Sequence, residues 1–391
     1  MGVLRQFRRA FRRGLSAQDD RSPHRRVVSL SPDGREVGRV LLSYVIDPFL
    51  ASPGEDASNA HTHHWESLQI AQTFLDRGYC VDVVSYLNHR FVPQQPYRFL
   101  VAARTDLQRL SQYLPSDCVK VAHLDTAHWI VNNAAAYDRL LGLQLRKQVS
   151  LTDPKLVESN LAIECADLGT VLGNDYTLET YRYAGKPLYR IPISAPAVYD
   201  WPTGKDFDVC RNRFVWFGSA GFVHKGLDLV LDAFAGLPGH HLTVCGPLDQ
   251  EPEFCSAYRR ELYDTPNIHA HGWIDVESES FHGLMRNTLG LIYPTCAEGG
   301  GGSAISCMHA ATIPILPREA SVDLGAGGVV LDNCSVERVQ AVVRDLAHRP
   351  ADELEGLARS AWEQARNHHT RPAFAQAFAG FVDDVLLPVQ A

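Results

Sequence analysis

Residues 289–316, LGLIYPTCAEGGGGSAISCMHAATIPIL, contain the pattern that decides the fold of this chain. Residues 291–293 form a short apolar run that ends at a proline, which predicts a strand. Residues 303–311 carry apolar side chains at a roughly helical spacing, and a second apolar run begins at residue 313. Strand, glycine loop, helix and strand in this order predict a βα unit, which binds ligands at the turn between strand and helix.

The predicted turn contains a carboxylate followed by glycines. These residues are Glu298, Gly299, Gly300, Gly301 and Gly302. A backbone without Cβ atoms can turn sharply and approach a ligand closely. The unpaired N–H groups at the start of the next helix favour an anion such as a phosphate. The carboxylate beside them then has a separate task, such as holding sugar hydroxyls. The alternative is a mobile surface loop, which the position of the glycines within a βα unit disfavours.

Length and composition narrow the class of protein. A chain of 391 residues can form two domains with full cores, and 45% hydrophobic residues predict a globular protein. The formal charge of −8 argues against general nucleic-acid binding. Nine cysteines without a CxxC pair indicate reduced thiols in a cytoplasm. No apolar stretch approaches the roughly 20 residues of a membrane span, and the first residues lack the apolar core of a signal peptide.

The first 26 residues are basic and differ from the rest of the chain. They contain eight arginines and two aspartates, and Leu4, Phe7, Phe11 and Leu15 recur every three or four residues. On a helix these side chains form an apolar stripe flanked by arginines, a pattern typical of helices that lie in an anionic membrane surface. This interpretation predicts peripheral attachment to the inner face of the membrane. The alternative is a disordered basic tail.

The rest of the chain alternates predicted strands and helices in two sets. In the first set the strands are 40–46, 81–85, 99–102, 118–124 and 188–193, and the helices are 65–77, 106–113, 137–147 and 177–183. In the second set, apart from residues 289–316, the strands are 214–217, 241–245 and 268–272, and the helices are 227–234, 280–287, 336–348, 351–367 and 371–389. Residues 196–213, rich in Pro, Gly, Asp and Trp, indicate a linker. We therefore predict a tail (1–26), a first domain (27–200), a linker (201–213), a second domain (214–370) and a final helix (371–391).

Polar residues follow several of the predicted strands. His123 lies at the carboxyl end of strand 118–124, where open α/β sheets bind ligands, so a functional and a structural role are both open. The loop after the first strand ends in HTHH, which includes His61, Thr62 and His64. We favour hydrogen-bond donors at the mouth of this turn. A metal site is the alternative, and it would need ligands that the sequence does not reveal.

Two α/β sets, a linker and a returning C-terminal helix resemble the layout of the GT-B glycosyltransferases, from about residue 40 to the end of the chain. The second half resembles the retaining family-4 branch, in which Gly-Arg follows a strand and Lys-Gly follows six residues after the Arg. Here Gly218 and Ser219 are followed by Lys225 at that spacing. The family also shows Glu, a glycine-rich turn and a second Glu eight positions later, where this chain has Glu298 and Ser306. Residues 70–84, IAQTFLDRGYCVDVV, resemble the family's first helix and second strand.

The resemblance implies two Rossmann-like domains that face each other across a cleft, with the C-terminal helix returning to the first domain. It also implies that Lys225 faces the donor diphosphate, that Glu298 holds the sugar hydroxyls and that His123 lies near the reacting sugar carbon. The other implied donor-binding residues are Gly218, Ser219, Ile274, Gly299, Gly300, Gly301, Gly302, Ser303 and Ser306. The implied acceptor-side residues are His61, Thr62, His64 and Asn174.

Three departures from the family pattern bear on activity. Ser219 removes one phosphate-binding cation, which should weaken stabilisation of the leaving group. Ser306 replaces the carboxylate that usually holds the nucleotide ribose. In the first loop, His61 and Thr62 stand where the family has Gly-Gly.

The resemblance implies transfer of a sugar from a nucleoside diphosphate sugar to a hydroxyl acceptor, with retention, in glycan or glycolipid synthesis. Charge grows on the departing diphosphate, and Lys225 with helix N-termini would offset it without a metal or another cofactor. The expected partners are a nucleotide sugar and a sugar, glycan or lipid-linked acceptor, but no nucleic acid. Two alternatives stay open, a catalytically silent nucleotide-sugar-binding protein and a sugar-nucleotide epimerase with the same fold.

Overall fold

A computed structural model describes residues 14–15, 23–51 and 62–388, which form two α/β units around two separate sheets. The strands of the first sheet are β1 (Gly14–Leu15), β2 (Val27–Leu30), β3 (Gly38–Tyr44), β4 (Tyr79–Ser85), β5 (Phe99–Ala102), β6 (Val119–Leu124), β7 (Leu168–Leu172) and β8 (Leu188–Ile191). The strands of the second sheet are β9 (Arg213–Phe217), β10 (His241–Cys245), β11 (Ile268–Gly272), β12 (Gly290–Ile292), β13 (Ile313–Pro317) and β14 (Val329–Leu331).

The first sheet has the order β1-β2-β4-β3-β5-β6-β7-β8. Its β1–β2 and β2–β4 pairs are antiparallel, and all later pairs are parallel. Because β3 lies between β4 and β5, the direction of winding reverses there, and ligands of open α/β sheets bind at such a reversal.

Alternate residues of the first sheet enter different cores. Val40 and Leu42 of β3 lie in one hydrophobic core, and Leu41 lies in another on the opposite face. Successive strand side chains point to opposite faces, so helices cover both faces of this sheet. The helices of the first unit are Asp47–Leu50, Thr62–Leu75, Thr105–Ser111, Trp129–Lys147, Ala162–Cys165 and Asp175–Tyr181.

The second sheet has the order β11-β10-β9-β12-β13-β14, with every pair parallel. Counted within the unit, this is the order 3-2-1-4-5-6 of dinucleotide-binding folds, whose ligand crevice lies where the order reverses. Here the reversal lies between β9 and β12. The remaining helices are Phe207–Cys210, Leu227–Ala235, Pro252–Ala257, Arg259–Asp264, Glu279–Arg286, Gly302–His309, Val336–His348, Ala351–His368 and Arg371–Phe381.

The final helix, Arg371–Phe381, returns to the first unit. Phe374 and Phe378 are fully buried in its core, where their rings pack against Trp65 and Phe74 respectively. By contrast, the preceding helix contributes its buried residues to the core of the second unit. The predicted return of the C-terminal helix is therefore confirmed.

The predicted strands and helices occur in the predicted order, although several bounds differ, and the helix predicted at 137–147 begins earlier, at Trp129. The strands β2, β7 and β14 were not predicted, nor were the short helices Asp47–Leu50, Ala162–Cys165, Pro252–Ala257 and Arg259–Asp264. The helical stripe of the tail is wrong at Leu15, because this residue forms β1 and pairs with Val28 of β2. Residues 1–13 and 16–22 of the tail lie outside the described residues.

Two chemical features of the described chain bear on its class. All nine cysteines are free thiols. Within residues 14–15, 23–51 and 62–388, no helix is both long and apolar enough to cross a membrane. The predicted linker contains the short helix Phe207–Cys210 and leads directly into β9. The domain bounds themselves stay predictions.

Candidate active site

Lys225 lies in the loop 218–226, which joins the carboxyl end of β9 to the helix Leu227–Ala235. That helix begins after Gly226, whose φ of 72° lies in the left-handed region. A Cβ atom on Gly226 would lie 2.4 Å from the carbonyl oxygen of Pro294, in the loop after β12. Glycine is therefore needed here both for its conformation and for the close approach of the two loops.

Lys225 and Glu298 meet between these two loops. The Nζ atom of Lys225 donates to Oε1 of Glu298 at 2.9 Å and to the hydroxyl of Tyr293 at 2.8 Å. The same Oε1 accepts hydrogen bonds from the Tyr293 hydroxyl at 2.8 Å and from the Thr295 hydroxyl at 3.1 Å. No described residue donates to the other carboxylate oxygen, Oε2. Glu298 is thus fixed by one oxygen, and its second oxygen is available to a ligand.

This pair is charged although it is largely buried. The side chain of Lys225 is 5% exposed and that of Glu298 is 15% exposed. Burial favours a higher pKa for Glu298, but the positive charges of Lys225 and Lys155 hold that pKa well below its usual range. Burial likewise favours a lower pKa for Lys225, and the charge of Glu298 raises it instead. Both groups therefore stay ionised around neutral pH.

His224 connects the same two loops without adding charge. Its Nε2 atom donates to the carbonyl oxygen of Ala297 at 2.6 Å, and its own carbonyl accepts from the backbone N–H of Cys296 at 2.9 Å. Burial lowers the pKa of His224 to about 4, so the ring is neutral at pH 7. These two hydrogen bonds of His224 fix the two loops relative to each other.

The glycine loop after Glu298 packs against the first unit. A Cβ atom on Gly299 would lie 2.2 Å from the carbonyl oxygen of Asp125, which follows β6. A Cβ atom on Gly300 would lie 3.2 Å from the side chain of Ile193. These glycines therefore allow the two units to touch, a use of the loop that the sequence did not predict.

The helix Gly302–His309 begins at this loop, with Gly301 in the left-handed region at a φ of 55°. Its first backbone bonds run from the N–H groups of Ala304 and Ile305 to the carbonyl of Gly301. The amides of Gly302 and Ser303 precede this ladder, and both residues are half-buried. An anion placed at this turn would meet N–H groups that the helix leaves unpaired.

His123 lies on the first-unit side of the contact between Gly299 and Asp125, at the carboxyl end of β6. It is 1% exposed, and its Nδ1 atom lies 2.8 Å from the hydroxyl of Thr170. Its Nε2 atom has no hydrogen-bond partner among the described residues, and the ring of Tyr44 packs edge-on at 5.0 Å. Burial lowers the pKa of His123 to about 4, so the ring is neutral. Close to it, Arg104 forms a bidentate ion pair with Asp125.

The first loop is only partly described. His61 lies outside the described residues, whereas Thr62 and His64 lie in the first turn of the helix that follows. The Nδ1 atom of His63 lies 2.8 Å from Oε2 of Glu66. Among the residues that the structure covers, no three His, Cys, Asp or Glu side chains are grouped to hold a metal. The metal interpretation of HTHH therefore gains no support from them, and metal independence stays a prediction.

Four predicted residues take no part in the Lys225–Glu298 network. Ser219 is exposed to solvent. The hydroxyl of Ser306 donates to the backbone carbonyl four residues earlier, at 3.0 Å. Ile274 is 6% exposed and packs in the core of the second unit. Asn174 caps its own helix and accepts a hydrogen bond from Ser321 at 3.0 Å, so it connects the two units.

The structure also brings to the site four residues that the sequence did not single out. They are Tyr293, Thr295, Arg104 and Lys155. The first two follow β12 directly, and Arg104 follows β5, so their position after a strand end was the signal that could have found them. Lys155 gave no such signal, because it lies in a segment without regular secondary structure.

Comparison with known proteins gives matches of fold only. No family model and no curated protein sequence matches the chain. A structure of sucrose-phosphate synthase from Thermosynechococcus elongatus has a TM-score of 0.62 and 14% identity, and the match covers 90% of this chain and 99% of that one. HepE from Anabaena in complex with UDP and glucose has a TM-score of 0.56 and 13% identity, over 89% and 100% of the two chains. Trehalose-6-phosphate synthase, studied for glycosyltransfer with retention, has a TM-score of 0.56 and 10% identity, over 88% and 98%. The fold of this chain is therefore that of the GT-B glycosyltransferases.

Proposed function

We propose that this protein transfers a sugar from a nucleoside diphosphate sugar to a hydroxyl acceptor, with retention of anomeric configuration, in glycan or glycolipid synthesis. The observation that carries this proposal is the ion pair of Lys225 and Glu298 at the point where the second sheet reverses its strand order. Neighbours of the same fold are described in complex with UDP and UDP-glucose, which supports a nucleotide sugar as the donor class.

Each charged group has a role that its surroundings favour. Lys225 offsets the negative charge that grows on the diphosphate as the bond to the sugar breaks, and the amides of Gly302 and Ser303 assist it. Glu298 accepts hydrogen bonds from sugar hydroxyls through Oε2, since Oε1 already holds three bonds within the protein. The contact between Gly299 and Asp125 excludes water from the site and limits hydrolysis of the donor.

The acceptor enters from the side of the first unit. His123 is neutral and keeps one ring nitrogen without a partner among the described residues, so it can form a hydrogen bond with a hydroxyl group near the reacting carbon. The proposed acceptor classes are a sugar, a glycan or a lipid-linked sugar. A metal or other cofactor has no part in the proposed reaction, and the proposed location is the cytoplasm or the inner membrane face.

The test is an activity screen with the purified protein. UDP-, GDP- and ADP-sugars are incubated with pooled sugar and lipid-linked acceptors, and release of nucleoside diphosphate is measured. Transfer that is lost in Lys225→Ala and Glu298→Gln is the expected result, and the anomeric coupling constant of the product reports retention. Turnover without an acceptor, with an isomerised donor as product, would replace transfer by epimerisation.

A catalytically silent nucleotide-sugar-binding protein is the second candidate. It is favoured by the exposed serine at position 219, where the family has a cation, and by the Ser306 hydroxyl, which bonds to its own helix. Saturable binding of a nucleotide sugar without release of nucleoside diphosphate, under any acceptor condition, would support this candidate against the first.

A further inference from the structure

Lys155 approaches the loop 218–226 of the second unit from the first unit. Its side chain lies directly over Gly221, where a Cβ atom would lie 2.5 Å from Cδ of the lysine. Gly221 has a φ of 95°, a conformation that other residues rarely adopt. The loop 218–226 therefore leaves a notch that the aliphatic part of Lys155 fills. The positive charge of Lys155 interacts with the charges of Lys225 and Glu298.

The segment around Lys155 is held in place from both units. The side-chain amide of Asn132 donates to the carbonyl of Lys155 at 3.2 Å. Asn133 makes two hydrogen bonds with the backbone of Val157, both at 2.8 Å. On the other side, the N–H and hydroxyl groups of Thr152 bond to a carboxylate of the second unit at 2.9–3.0 Å. Although the segment lacks regular secondary structure, its backbone is fixed, and so is the point from which Lys155 extends.

The charges around Lys155 do not balance. Within the described ranges, no carboxylate lies close enough to form an ion pair with its ammonium group. Glu298 is already bonded to Lys225, and Arg104 is paired with Asp125. Glu251 also interacts with Lys155, but its carboxylate accepts the N–H groups of Gly221 and Phe222. Neither carboxylate forms an ion pair with Lys155. Lys155 as a whole residue is exposed to solvent. Desolvation of its ammonium group, followed by the positive charge of Lys225, nevertheless lowers its pKa to about 8. An arriving anion would relieve this imbalance.

We propose that Lys155 is the second cation that binds the donor diphosphate, and that it takes over the task of the arginine whose position is occupied by Ser219. This inference rests on the proposed function and names the group that completes it. Lys155 is exposed, but the glycine notch and the held backbone fix the position of its side chain on the loop 218–226. A diphosphate carries more negative charge than Lys225 can offset while Lys225 is bonded to Glu298. The positive charge of Lys155 supplies the remainder.

The test compares Lys155→Ala and Lys155→Arg with Lys186→Ala as a matched control. Lys186 lies just before the amino end of β8, at the edge of the first sheet away from the site, so its removal changes the net charge equally. Titration calorimetry measures binding of inorganic pyrophosphate, of UDP, GDP and ADP, and of the corresponding nucleosides. Circular dichroism checks that each variant is folded.

We expect Lys155→Ala to weaken binding of pyrophosphate and of the preferred nucleoside diphosphate by roughly 10- to 100-fold, as for loss of a hydrogen bond between charged groups. Binding of the nucleoside should be unchanged, because it lacks the phosphates. Lys155→Arg should stay within a few-fold of the wild type, and Lys186→Ala should equal it. If the wild type binds diphosphates and Lys155→Ala binds them equally well, this inference falls and the proposed function stands. If the wild type binds neither pyrophosphate nor any of the three diphosphates, both fall.

Discussion

Replacement of Lys225 by methionine tests the centre of the proposed site most directly. Methionine keeps the length and the apolar part of the side chain, so the packing between the loops should change little. The substitution removes one positive charge and the two hydrogen bonds to Glu298 and Tyr293. Tyr293→Phe is the matched control, since it removes a hydrogen bond to the same carboxylate and leaves the ion pair intact.

Two magnitudes follow from the geometry of this pair. Loss of one partner of a buried ion pair costs about 3–5 kcal/mol of unfolding free energy. The lower end is expected here, because Glu298 keeps its bonds from Tyr293 and Thr295 and the nearby charge of Lys155. For catalysis, loss of a group that stabilises developing negative charge should lower kcat by about 10²- to 10³-fold, or about 2.7–4 kcal/mol.

The effect of pH on stability gives an independent check. The folded state depresses the pKa of Glu298, so this group stabilises the fold above its unfolded pKa of about 4.3. That contribution is lost as the pH falls below about 4 towards the folded pKa. In Lys225→Met, the main positive charge that opposes the effect of burial on the pKa of Glu298 is lost, so this pKa rises. The stability deficit of the variant should therefore be largest near pH 7 and should shrink as the pH falls towards 3.

The assay combines urea unfolding between pH 7 and pH 3 with steady-state kinetics on the donor found in the activity screen. The expected result is a deficit that depends on pH and a kcat that falls much more than that of Tyr293→Phe. A kcat equal to that of the wild type would refute the catalytic role. A deficit that is constant from pH 7 to pH 3 would refute the electrostatic account of the pair.

Three further predictions concern other parts of the chain. Ser306→Glu should keep the fold and tighten nucleoside binding about tenfold, because a carboxylate there would accept a charge-assisted hydrogen bond from the ribose. Weaker binding in calorimetry would place the ribose elsewhere. Phe378→Ala should lower the free energy of unfolding by about 3–5 kcal/mol in urea, since the ring is fully buried, while Gln376→Ala on the exposed face should change it little. Deletion of residues 2–26 should abolish co-sedimentation with anionic vesicles and leave turnover on soluble acceptors intact, and equal sedimentation of both forms would contradict the membrane prediction.

The sequence predicted the parts of the site that depend on local pattern. Lys225 and Glu298 each follow an apolar run and precede a helix, and parallel strands place such turns at one edge of a sheet. The resemblance to the glycosyltransferases then implied that the two residues act on the same donor. The final helix was predictable from apolar residues at helical spacing, whereas its return to the first unit was implied by the resemblance.

The remaining features depend on contacts between distant segments, which periodicity does not encode. The position of Lys155 is set by asparagines on another helix and by a glycine of the other unit. The position of Arg104 after a strand was a usable signal, but its pairing with Asp125, which follows a different strand, was not predictable from local pattern. The resemblance implied an acceptor-side role for Asn174, and only the fold shows that its hydrogen bonds go to Ser321. The strand β2 has four residues and exists through pairing with β4.

The contact between Gly299 and the backbone of Asp125 limits how this scaffold can be recombined. A chimera that exchanges the first unit, in order to change the acceptor, would also replace the surface against which the glycine loop at Gly299 packs. The incoming half must approach Gly299 no more closely than Asp125 does. Its counterpart of Gly173 must also lack a side chain, since a Cβ atom there would lie 2.7 Å from the carbonyl of Gly299. A change of acceptor specificity in this chain should therefore transfer whole loops and preserve these backbone contacts. Exchanging side chains alone does not restore the contact between the two units.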